Sequence, residues 1–150
     1  MNPVSVRNVR WAGVMSDVLQ AASVTSAVNS VARSLAGRRV LVIEDESMVM
    51  MLLHDMLEDI GCIVVGAASR IAEATEKARS LAFDVAILDV NLNGVQTFPV
   101  AAALAKRGVG FVFATGYGTA SLPPAFAGTP VLHKPFQQEE LERALRAALA

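Results

Sequence analysis

Five short apolar runs, none with alternating polarity, constrain this chain more than any other feature. They fall at residues 40–43, 62–65, 85–88, 111–114 and 131–132, and most are β-branched or aromatic. Strands that are covered on both faces read this way, because neither face needs a polar row. The intervals carry a different period. Val49, Leu52, Leu53, Met56, Leu57 and Ile60 form one helical stripe, which Gly61 closes. Ile71, Ala74, Ala78 and Leu81 form a second, with Ser69 placed to cap it. A third runs from Pro99, suited to a first helical position, to the stop at Gly108. Leu141, Ala144, Leu145, Ala148 and Leu149 form the last. Strands alternating with helices call for right-handed crossovers and a doubly wound, five-stranded parallel α/β sheet.

One crossover breaks the rule. Between Ala114 and Val131, Pro123 and Pro124 sit among glycines and leave room for about one helical turn. Texture also changes near Gly37, which divides an N-terminal extension, residues 1–36, from a domain at 37–150. In the extension, Trp11, Val14, Met15, Val18, Leu19 and Ala22 fit one helical face. A frayed tail and an amphipathic helix packing on the domain or on a second copy both fit.

Composition narrows the function classes. The 150 residues are 53% hydrophobic and 18% charged, which excludes overall disorder. Thirteen basic against fourteen acidic side chains give a net charge of −1, against an electrostatic grip on nucleic acid. No apolar run approaches the ~18 residues of a membrane span. The N-terminus lacks the pattern of a secretory signal, and the lone Cys62 fits a reducing compartment. A cytoplasmic protein is expected.

Ligands of open parallel sheets sit beyond the carboxyl ends of the strands. The residues just after the runs are Glu44 and Asp45, then Asp89, Thr115 and Lys134. Three crowded carboxylates repel one another and raise each other's pKa. A hard dication that keeps water and phosphate oxygens as further ligands relieves this, so Mg²⁺ is the expected cofactor. Beside such a cation an aspartate can act as nucleophile toward a phosphoryl group. The transferred oxygens then need an ammonium and a hydroxyl, which Lys134 and Thr115 supply.

The stretches around Glu44–Asp45, Asp89, Thr115 and the His133-Lys134-Pro135-Phe136 run resemble the receiver domain of two-component response regulators, similar to the chemotaxis receiver. The resemblance covers about residues 38 to 149. It implies a flavodoxin-like sheet of order 2-1-3-4-5 and a cis Lys134–Pro135 bond. It also implies Asp89 as acceptor of phosphate from a histidine kinase or phosphotransferase. Glu44, Asp45, Asp89 and the backbone carbonyl of Asn91 would hold Mg²⁺. The resulting expectation is a stand-alone switch that acts through an unknown downstream protein, without catalytic output, nucleic acid or membrane as target; a homodimer is a further candidate assembly.

Two departures from the family pattern stand out. Val131 occupies the place of the usual strand aromatic, and the fourth helix is the proline-rich stretch. Both fit a narrower resemblance. The run from Phe111 to Gly118 is similar to the signature of single-domain alphaproteobacterial receivers named for a Phe-Ala-Thr-Gly-(x)-Tyr motif, associated with stress-response phosphorelays. On that likeness Thr115 and Tyr117 form the switch, a plain surface-loop tyrosine being the alternative; Gly116 and Gly118 are the natural hinges. Met48 and Met51, one turn from the acids, form a candidate partner surface, since exposed thioethers suit docking; loose packing against the N-terminal extension is the alternative. His54 and His133 lack a second ligand at metal spacing and read as solvated or structural. An aspartyl-nucleophile phosphatase of the haloacid dehalogenase kind would need Asp-x-Asp after the first strand, whereas Asp89-Val90-Asn91 follows the third. A phospho-independent interaction module is the remaining alternative, and the complete acid, threonine and lysine set argues against it.

Overall fold

In the computed structural model, residues 35–116 and 122–150 are described. The proposed amphipathic face at Trp11–Ala22 and the switch residue Tyr117 lie outside them. The first five elements are β1 (Arg39–Ile43), α1 (Ser47–Ile60), β2 (Ile63–Ala68), α2 (Ile71–Ser80) and β3 (Val85–Asp89). A small hairpin follows, β4 (Asn91–Leu92) and β5 (Val95–Gln96), then α3 (Phe98–Arg107) and β6 (Gly110–Thr115). A 3-10 turn (Pro124–Phe126), β7 (Val131–His133) and α4 (Gln138–Leu149) complete it. The five main strands pair in parallel in the order β2-β1-β3-β6-β7, the expected 2-1-3-4-5 sheet. The hairpin is a separate antiparallel pair.

Alternation along the strands sorts the core into two layers. Leu41, Ile43, Ala86, Leu88, Phe111 and Phe113 face α2 and α3; Val40, Val42, Val85, Ile87, Val112 and Ala114 face α1 and α4. Leu35 is fully buried in the second layer, so the compact unit begins at Leu35, two residues before Gly37. α1 ends as read, on Gly61 in the left-handed region at φ 93°, and α3 on Gly108 at φ 72°. α4 opens with a capping box between Gln137 and Glu140.

Several local expectations need correction. Ser69 does not cap α2; Arg70 stands at the N-cap without a side-chain bond. Cys62 precedes β2, and the strand continues through Gly66, Ala67 and Ala68 with a register shift opposite Val40 and Leu41. α3 starts on Phe98, one residue before Pro99. Leu52 is 47% exposed rather than part of the buried stripe, whose interior members are Leu53 and Leu57. Met50 packs against the core alongside Met56. The helix covers the sheet with one narrow stripe, and Leu52 lies to its side.

In the proline-rich connection the described residues hold one short 3-10 turn, whose Phe126 meets Phe98, Phe111 and Phe113 with centroids 5.6–6.0 Å away. No helix among the described residues is long and apolar enough to cross a membrane.

Candidate functional site

Four of the five parallel strands, β1, β3, β6 and β7, deliver parts of one cleft at the carboxyl edge. Glu44 and Asp45 follow β1, Asp89 is the last residue of β3, Thr115 the last of β6, and Lys134 follows β7. Asp45, Asp89, Asn91, Thr115 and Lys134 line a cavity of about 660 Å³, joined by Gly94 and Gln96 of the hairpin. Glu44 lies beneath it and is 1% exposed.

The carboxylates of Glu44, Asp45 and Asp89 offer oxygens that all lie within 4.8 Å of one another. Each is aimed by the backbone. Asp89 Oδ1 accepts the Asn91 N–H at 3.1 Å, Glu44 Oε1 the Glu46 N–H at 3.1 Å, and Asp45 Oδ2 the Asn93 N–H at 3.0 Å. The last bond comes from the hairpin tip. There Asn93 (φ 51°) and Gly94 (φ 85°) are both left-handed, which is what a two-residue primed turn demands of an Asn-Gly pair.

Lys134 supplies the opposite charge. Its Nζ donates to Asp89 Oδ2 at 2.9 Å and pairs with Glu44 Oε2 at 2.9 Å. Its backbone N–H donates to the Thr115 carbonyl at 2.9 Å, tying the lysine to the end of β6. The next peptide bond, Lys134–Pro135, is cis, as the resemblance implies. Burial pushes the Glu44 carboxyl up; the adjacent Lys134 ammonium opposes this and the Asp89 charge adds to it, leaving it at about 7. Burial alone would lower the Lys134 ammonium, but its bonds and charge contacts with Glu44 and Asp89 outweigh that and raise it.

One ammonium does not balance three carboxylates, and the contact of Glu44 Oε2 with Lys134 is an ion pair without an aligned hydrogen bond. An all-oxygen, net negative cleft with a buried oxygen still short of a directional partner fits a hard dication. Asn91, implied as a carbonyl ligand, lines the same cavity. Its side-chain oxygen instead accepts the Gly94 N–H at 2.7 Å and braces the turn. That leaves no acid-base group at the position a phosphatase of the Asp-x-Asp kind would use.

Met48 and Met51 stand outside the cleft at 82% and 67% exposure, beside exposed Leu52, on the outer face of α1. Thr97, which no sequence pattern singled out, is fully buried and donates through Oγ1 to the Asp89 carbonyl at 2.6 Å. His54 and His133 belong to no metal-ligating group among the described residues.

A carboxylate held by a lysine at the carboxyl edge of a 2-1-3-4-5 sheet defines a receiver, the class of domain in which the sheet's acid pocket governs signalling. The chain belongs to that family: residues 40–146 match the response regulator receiver domain. Among solved structures, the chain is similar to SdrG from Sphingomonas melonis Fr1, at 41% identity and a TM-score of 0.69, over 76% of this chain and 98% of that one. It is 30% identical over 112 residues to the sensory transduction protein LytR of Staphylococcus haemolyticus, covering 71% of this chain and 43% of that one. With the chemotaxis protein CheY of Thermotoga maritima it shares 34% identity over 62 residues, 39% of this chain and 52% of that one. The chain therefore spans about half the length of these two curated relatives. Receiver domains are generally non-catalytic switches that typically bind Mg²⁺ at an acidic pocket.

Proposed function

We propose that this protein is a receiver of a two-component phosphorelay, accepting a phosphoryl group on Asp89 from a histidine kinase or histidine phosphotransferase. The carrying observation is the Lys134 ammonium lodged 2.9 Å from both Asp89 and Glu44, in a cleft gathered from separate strand ends. Asp89 retains lone pairs toward the cavity, since each carboxylate oxygen can accept twice. One of its oxygens forms the new P–O bond while the P–N bond to the donor imidazole breaks and the imidazole leaves with that electron pair. Lys134 already points at this carboxylate and holds the incoming equatorial oxygens. The Thr115 hydroxyl, at the end of the neighbouring strand, takes another. Mg²⁺, held by Glu44, Asp45, Asp89 and the Asn91 carbonyl, would supply neutralisation of charge in the transfer. The exposed Met48–Met51 face fits the approaching donor, because flexible, polarisable thioethers adapt their shape to a partner.

The test is direct. With Mg²⁺, acetyl phosphate should label the wild type and leave Asp89→Asn unlabelled by mass spectrometry; a label that survives in Asp89→Asn would sink the assignment. Asp45→Asn should weaken Mg²⁺ binding measured by calorimetry, because a hard cation loses a charged ligand.

A further inference from the structure

Thr97 stands at the start of α3, yet its side chain does not cap that helix. A threonine hydroxyl has one proton to donate, and a helix start ordinarily uses the side chain for the helix itself. Here Oγ1 turns back to the Asp89 carbonyl at 2.6 Å, with the Val90 carbonyl at 3.3 Å. The Thr97 N–H donates to that same Val90 carbonyl at 2.9 Å, and the Val90 N–H donates to the Ala114 carbonyl of β6 at 3.0 Å. The peptide between residues 89 and 90 is thus held from both sides, by a fully buried hydroxyl and by the adjacent strand.

We infer that Thr97 is the positioning residue of the phosphoacceptor, fixing the peptide from which the Asp89 carboxylate and the approach to Asn91 are aimed. The inference rests on Asp89 being the acceptor. The Asp89 carboxylate must meet Lys134 on one oxygen and the Asn91 N–H on the other. A tilt of the 89–90 peptide displaces both contacts together. Misplacement of a reacting group by about 1 Å can cost up to ~100-fold in rate. A threonine that only filled the core would be replaced by valine at a cost in melting temperature alone.

The experiment compares wild type, Thr97→Val, Thr97→Ser and Asp89→Asn. Each is measured for labelling rate with acetyl phosphate, for the Mg²⁺ dissociation constant by calorimetry, and for thermal melting. Thr97→Val should lower the labelling rate and weaken Mg²⁺ by about ten-fold each, the size of one lost buried hydrogen bond. Thr97→Ser, which keeps the hydroxyl, should recover both to within about two-fold. Thr97→Val at wild-type rate and affinity, or Thr97→Ser as impaired as Thr97→Val, overturns the inference. If Thr97→Val does not fold, Thr97→Ala is read by the same criteria. Unimpaired Thr97→Val beside an unlabelled Asp89→Asn removes this inference alone; a labelled Asp89→Asn removes the acceptor reading and this inference with it.

Discussion

On one side of the sheet, α2 approaches through Ala74 and Ala78, α3 through Val100, Ala101 and Leu104, and Phe98, Phe111, Phe113 and Phe126 gather beside them. On the other, α1 and α4 bring Leu53, Leu57, Leu141 and Leu145 down onto Val40, Val42, Ile87 and Val112. Each side is covered by two regular helices, and on the second the contacts with the sheet are mainly between branched aliphatic residues. The first side also carries a crossover whose described residues hold a single 3-10 turn, and the Phe126 ring of that turn packs against Phe98, Phe111 and Phe113. Edge-on contacts among Phe98, Phe111, Phe113 and Phe126 fasten that turn to β6, two residues from Thr115. The difference teaches that aromatic bulk from the strand beneath can anchor a short turn, and β6 supplies it on one face only.

Truncation is the strongest way to break this comparison. Phe113→Ala should cost about 3–5 kcal/mol in urea unfolding, and more than Leu57→Ala in the same chain. Equal or larger loss at Leu57 would show that the rings do not carry their side. Phe126→Ala should cost less, about 2 kcal/mol, because its ring is only partly buried. Its effect should be non-additive with Phe113→Ala, by about 0.5–1.5 kcal/mol in a double-mutant cycle.

A smaller effect concerns charge. The Glu44 carboxyl is raised from 4.5 to about 7 on folding, so the folded chain binds this proton more tightly than the unfolded one. Stability in metal-free buffer should therefore fall as pH rises from 4.5 to about 7, then flatten. Lys134, also raised, keeps its contribution through that window and loses it only in alkali above its ordinary 10.5. Asp84, lowered by its bonds with Arg39, opposes only near and below its ordinary 3.8. Glu44→Gln should erase the slope in melting temperature between pH 5 and 7; an unchanged slope would place its origin elsewhere. Smallest of all, Met48→Ala and Met51→Ala should leave stability within about 0.5 kcal/mol while slowing transfer from a cognate donor.

Much of this was legible because burial on both faces leaves a plain mark. Four of the five apolar runs sit inside the strands they announced; of the five polar residues after them, Asp45, Asp89, Thr115 and Lys134 line one cleft and Glu44 lies beneath it. Gly66, Ala67 and Ala68 hid the second half of β2, since their strand preference is weak and pairing with β1 imposes the conformation. The hairpin after Asp89 carried a readable signal in Asn93-Gly94, the strongest short-range turn pair; its strands are two residues each, too brief for any periodicity. Thr97 offered no signal, because a threonine before a helix looks like a cap and only the folded chain shows its hydroxyl facing backward. Leu52 misled because a helical stripe defines a face but not how much of it the sheet covers.

The register shift in β2 has a further consequence, for how copies of this chain behave when crowded. Any open sheet leaves two unpaired ladders, and in a chain that is 53% hydrophobic these invite strand-by-strand growth into fibres. At the β7 border the ladder is three residues long and runs straight into Pro135, which has no N–H to offer. At the β2 border an extra residue opposite Val40 and Leu41 throws the donors and acceptors out of step midway along the strand. Among the described residues, an arriving segment finds no flat template of useful length at either border, so the shifted register keeps the sheet from growing strand by strand.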